Sequence, residues 1–167
     1  MNIIKETIIV DTNILIDASI AGVLKEFVKL DNLLISDLVK ETEINSKTGD
    51  IVEIEKIKVI SSTSEQIYKM NMVTTSEPNL TAEDAINFIL AKDNNLVLPT
   101  DNKRLRKYAI RNDVKIIGPL KILDLMLENR IITKKKYSQS LIKLHNSNNR
   151  LPDEEIIKRI EESYLQK

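Results

Sequence analysis

One pattern constrains this chain more than any other: a burst of a few β-favouring apolar residues, then a stretch with helical spacing, repeated along its length. Thr7-Ile8-Ile9-Val10 reads as a short buried strand that ends at Asp11. Ile14, Leu15, Ala18, Ala21, Leu24 and Val28 then recur at helical intervals. Leu33 to Ile35 is a second burst, and Ser36-Asp37 behind it is a helix start, predicting a helix through Glu41 and Glu43. Residues 45–55 read as a polar turn and a short charged piece. Lys58 to Ile60 is a third strand, followed by Thr63-Ser64-Glu65-Gln66, which fits a capping box.

Pro78 ends that helix and Thr81 begins another, with Ala82, Ala85, Ile86, Ile89 and Leu90 at i, i+3, i+4, i+7 and i+8. Leu96 to Leu98 is a brief strand ending at Pro99-Thr100-Asp101. A helix with Leu105, Tyr108 and Ala109 inward follows, then Val114 to Ile117 as the last strand. Beyond Gly118-Pro119 the pattern is helical over about 120–129, 133–146 and 153–166, the last opened by Pro152.

Strands that alternate with helices form parallel βαβ units with helices on both faces of the sheet. Right-handed crossovers put every strand's carboxyl end on one side, and ligands bind outside those ends. The expected organisation is one main domain over 1–150, with residues 151–167 a helix packed on it or on a partner.

Residue types that are scarce remove several chemistries. There is no cysteine, hence no disulfide and no thiolate site, and His145 is the only histidine, too few for a zinc site or an imidazole triad. The three glycines, Gly22, Gly49 and Gly118, cannot make a phosphate loop or a dinucleotide turn. No apolar run approaches membrane length and the first residues lack a secretory pattern, so a cytoplasmic protein without a membrane partner is expected. Carboxylates and amides remain, and they suit a hard cation. Charge balances at 25 basic and 25 acidic residues, but Lys103, Arg104, Arg106, Lys107 and Arg111 crowd one stretch and Lys134 to Lys136 another.

Four acids are placed by this topology at one edge. Asp11 and Asp101 each follow a strand, Glu41 follows the second strand by about a turn and a half, and Asp84 lies in the first turn of a helix. Carboxylates gathered there repel one another unless a multivalent cation neutralises them, and Mg²⁺ or Mn²⁺ suits an all-oxygen shell. Such a site activates water for attack on a phosphodiester. Asp11, Glu41, Asp84 and Asp101 are therefore the candidate metal-holding and catalytic residues, with Asn13 and Thr100 as supporting polar groups. Each acid also has a local duty open to it. Asp11, Asp84 and Asp101 are all placed to cap helices, and Glu41 and Glu43 to sit on a solvated face. Lys103 and Arg104 open the basic helix at the same edge and are candidates for holding a nucleic-acid backbone.

The segments VDTNIL, LVKETE around Glu41, LTAEDAINFILAK around Asp84, and PTDNKRLRKYA together resemble a PIN domain. Within that family the chain resembles the VapC-like toxin ribonucleases of toxin–antitoxin pairs. The likeness runs over roughly residues 7–145 and is weaker across 45–75. It implies a three-layer α/β/α sandwich around a parallel β-sheet with extra C-terminal helices. It further implies Mg²⁺ or Mn²⁺ dependence, endonucleolytic cutting of RNA, an antitoxin partner, and a homodimer formed through faces such as 120–132 and 156–164. Two positions depart from the pattern. Asn102 stands where many members carry an acid, with Asp101 one residue earlier. At the second acid, Glu43 competes with Glu41, and a one-residue shift would bring Thr42 to that place.

Overall fold

The computed structural model describes residues 5–44, 54–147 and 151–165, with side chains through residue 42 in the first of these stretches. Among the described residues five short parallel strands carry the fold: β1 (Ile8–Val10), β2 (Leu33–Ser36), β3 (Lys58–Ile60), β4 (Leu98–Pro99) and β5 (Ile116–Ile117). β2 pairs with both β1 and β3, and β4 pairs with β5. The two groups join where Ile8 bridges Val97; Ile9 N–H donates to the Val97 carbonyl (3.1 Å) and Val97 N–H to that of Thr7 (2.9 Å). The strand order is therefore β3-β2-β1-β4-β5.

Helices cover both faces, because strand side chains alternate. Ile8, Val10, Leu33 and Ile35 join one core; Ile9, Leu34 and Leu98 join the other. The first core is closed by α1 (Thr12–Ala21), α2 (Leu24–Phe27), α7 (Pro119–Glu128), α8 (Lys134–Ser147) and α9 (Asp153–Leu165). The second is closed by α4 (Ser64–Ser76), α5 (Ala82–Asn94) and α6 (Lys103–Arg111). This is the α/β/α sandwich with extra C-terminal helices that the alternation predicts. A short helix, α3 (Asp37–Val39), follows β2 and runs into a π-helical turn over Lys40–Ile44.

Local chemistry explains the helix ends. Thr63 and Gln66 make a reciprocal capping box at α4, and Thr81 and Asp84 make another at α5. Gly22 ends α1 in the left-handed region (φ 74°), where its lack of a Cβ removes the strain. Strand bounds move more than helix bounds. β4 is Leu98–Pro99 rather than 96–98, because Leu98 N–H donates to Lys115 and only Val97 reaches across to β1.

The last helix is tied down by a polar cluster. Arg159 Nε and Nη2 donate to both oxygens of Asp124 (3.0–3.2 Å), and Tyr137 Oη donates to Asp124 Oδ1 at 2.7 Å. Burial, reinforced by the Asp124 carboxylate, pushes the Tyr137 phenol well above its ordinary range. His145 Nδ1 stands 3.3 Å from Asp153 at the start of α9. Among the described residues no helix is long and apolar enough to cross a membrane.

Candidate active site

β1 and β4 are neighbours whose following helices go to opposite faces: α1 to the first core, α6 to the second. That divergence opens a crevice beyond the carboxyl ends of the two strands, the usual place for a ligand in an open parallel sheet. Continuing the Ile8–Val97 register sets Asp11 level with Thr100.

Asp11 is extended (φ −109°, ψ 175°) and half-buried, and its Oδ1 accepts the N–H of Ile14 at 2.9 Å. It is thus the N-cap of α1 as well as the first acid at the edge. Asp84 enters from α5. Its N–H donates to Thr81 Oγ1 (3.1 Å), and its Oδ2 accepts the Thr81 N–H (3.3 Å). The same oxygen accepts Asn102 Nδ2 at 3.2 Å, a contact that links two segments 18 residues apart. Asn102 Oδ1 meanwhile accepts the N–H groups of Arg104 (3.0 Å) and Leu105 (3.4 Å). Asn102, and not Asp101, is therefore the cap of α6. Thr100 is buried, and its Oγ1 accepts the Asn102 N–H at 3.1 Å, setting the loop that carries the amide.

The other candidates have different surroundings. Glu41 is exposed on the π-helical turn, while its neighbour Thr42 donates from Oγ1 to Leu38 O (2.8 Å) and to Glu83 Oε1 (3.1 Å). A π turn holds an extra residue, so the face expected from α-helical spacing does not carry over. The segment thereby brings Thr42, rather than Glu41, against the start of α5. The Glu43 side chain lies outside the described residues. Asn13 is exposed in the first turn of α1. Asp101 is half-buried and lines a groove of about 590 Å³ with Lys103, Arg106 and Lys121 among others.

α6 presents strong positive charge to this edge. Five of its nine residues are Lys or Arg and none is acidic. Arg111 pairs with Glu77 at 3.1 Å, whereas Lys103, Arg104 and Lys107 make no ion pair among the described residues. Lys103 faces the groove and Arg104 does not line it; in its place is Arg106, whose Nη1 donates to Thr100 O at 3.4 Å. Arg106 belongs to the basic run legible in the sequence without standing out there, and its i+3 spacing from Lys103 puts the two on one helix face.

Asp84 thus meets the Asn102 amide at the head of a basic helix, with Asp11 at the end of the neighbouring strand, and the model of one family, the PIN domain, matches residues 7–163. The chain belongs to the PIN-domain family. Its match extends through most of α9. Comparison with curated proteins and with solved structures finds no match. PIN domains are in general nucleases and typically use divalent metals. The chemistry of the donor set here fits a hard divalent ion in part. Asp11 and Asp84 supply carboxylate oxygens, and two buried oxygens without hydrogen-bond partners stand near them: Thr12 Oγ1 beside Asp11, and Asn87 Oδ1 at i+3 from Asp84. Among the described residues, however, no three acidic, histidine or cysteine side chains are gathered closely enough to hold an ion by themselves.

Proposed function

We propose that this PIN domain is a divalent-metal-dependent endoribonuclease. The observation that carries the reading is the Asp84–Asn102 contact beyond β4, whose neighbour β1 ends at Asp11, flanked by α6, five of whose nine residues are Lys or Arg. In this reading Asp11 and Asp84 hold the Mg²⁺ or Mn²⁺, with Asp101 and Glu41 acting at its edge through water. The ion would supply a water activated at neutral pH and would offset the charge on the leaving oxygen. Asp11 and Asp84 are fixed for this task by the helices they cap, so little side-chain freedom is lost on binding. Lys103 and Arg106 would hold phosphates of the RNA along the groove, giving affinity and register without base choice. Thr100 and Asn102 would position the loop between Asp84 and the basic helix.

The toxin role belongs to the same proposal and is supported by the resemblance to the VapC-like group. Its partners would be an antitoxin covering the acidic edge and a second copy of the chain. A second reading is a PIN domain that binds RNA or protein with little or no catalysis. Asn102, an amide at a charge-bearing position, and the lack of a three-acid cluster among the described residues favour it.

Incubating the chain with a mixed RNA pool in Mn²⁺ or in EDTA separates the two. Cleavage in Mn²⁺ that is lost in EDTA, and lost in the Asp11→Asn, Asp84→Asn double variant, is the expected result. Cleavage that survives in the double variant overturns the site. RNA retention without cleavage in any metal supports the binding module.

A further inference from the structure

Asn102 has both ends of its amide committed. Oδ1 must face the donors at Arg104 and Leu105, so Nδ2 must face the Asp84 carboxylate. A flipped amide would set N–H against N–H and oxygen against oxygen, so its orientation is fixed by its neighbours. The geometry points to a pre-occupied site: the Asn102 amide already donates to Asp84 Oδ2 and brings no second negative charge to it, so the chain alone takes a divalent ion weakly and loads it together with the substrate's phosphate.

The physical basis is a comparison at one oxygen. A carboxylate at position 102 could keep the α6 cap with one oxygen, since Asp and Asn cap equally well. Its other oxygen would then stand about 3.2 Å from Asp84 Oδ2, where Asn102 Nδ2 now lies. Two like charges at that distance raise the affinity for any cation that can lie between them. With the amide in place that repulsion is absent, and an ion must compete with an existing hydrogen bond. Mg²⁺ held by one or two carboxylates completes its shell with substrate phosphates, which is the supply the cations of α6 would bring to the edge. Only this co-loading half rests on the proposed nuclease reading.

The test is a Mn²⁺ titration of the full chain without RNA, following the electron paramagnetic resonance of free Mn²⁺. Asn102→Asp is expected to bind Mn²⁺ about tenfold more tightly than the wild type, the scale on which groups next to metal ligands act. Adding Asp84→Asn to that variant should return binding to the wild-type level. Equal affinities for wild type and Asn102→Asp overturn the inference. Should Asn102→Asp fail to fold in EDTA, Asn102→Ser keeps a capping hydroxyl and removes the amide; an unchanged Mn²⁺ affinity in that variant refutes the proposal as well. For co-loading, the wild type is titrated with a 2′-O-methylated RNA oligonucleotide, subtracting Mn²⁺ bound by the oligonucleotide alone. Tighter Mn²⁺ binding by about tenfold is expected, and no change overturns this half. A chain that cuts no RNA in the pool assay yet passes the RNA-free titration would refute the nuclease reading and leave the role of Asn102 standing.

Discussion

Asp84 has two duties, and a pair of substitutions separates them. A single oxygen, Oδ2, accepts both the Thr81 N–H and Asn102 Nδ2. Asp84→Asn can place its amide oxygen there and keep both bonds, now neutral and about half as strong, at a cost of roughly 0.5 kcal/mol. Asp84→Ala loses both bonds, one of them the return arm of the capping box, roughly 1–2 kcal/mol. In a domain of this size 1 kcal/mol moves the melting temperature by about 2–4 °C, so Asn should lower it by about 1–2 °C and Ala by about 2–8 °C. Melts followed by circular dichroism in EDTA measure this without metal. RNA cleavage, in contrast, should fall by at least about a hundredfold in both variants, because both remove the charge a cation needs. If Asp84→Asn cleaves RNA nearly as well as the wild type, Asp84 serves helix geometry alone and the metal-site assignment is wrong.

Three further outcomes are expected. Lys103→Ala and Arg106→Ala should each weaken RNA binding across all sequences and reduce the salt dependence of the binding constant by about one unit of slope, measured by fluorescence anisotropy at several salt concentrations. Glu41→Gln, on an exposed turn, should reduce cleavage by about tenfold, well short of the loss in Asp84→Asn; an equal loss would bring Glu41 into direct contact with the ion. The Tyr137 phenol has a raised pKa in the folded chain, so above its ordinary value of 10.0 the unfolded chain holds fewer protons than the folded one. Stability should therefore be constant in this group below pH 10 and fall as pH rises beyond it. Chemical denaturation at pH 9 and pH 11 should show that fall in the wild type and a smaller one in Tyr137→Phe.

Much of this molecule is written in local pattern. The alternation of apolar bursts with helical spacing determined a parallel sheet covered on both faces, because period 2 and period 3.6 read directly as strand and helix faces. Thr63-Gln66 and Thr81-Asp84 announced their capping boxes, and Asp11 at the end of a β-branched run announced both a strand end and a helix start. These signals are legible because each depends on residues within one turn of each other.

The site's finer arrangement depended on contacts between distant segments. The π turn at Lys40–Ile44 moved Thr42, rather than Glu41, against Glu83, and no local pattern marks the extra residue. Asn102 took the cap that Asp101 was equally able to provide, because Thr100 fixes its N–H and Asp84 accepts its amide from another helix. Lys103 and Arg106 share a groove only because α7 and α9 form its opposite wall. Sequence spacing put Asp11 at the end of β1 and Asp84 in the first turn of α5. Tertiary packing alone decided that Asp84 meets an amide there, since a partner 18 residues away is chosen by the geometry of the fold and not by the periodicity of either segment.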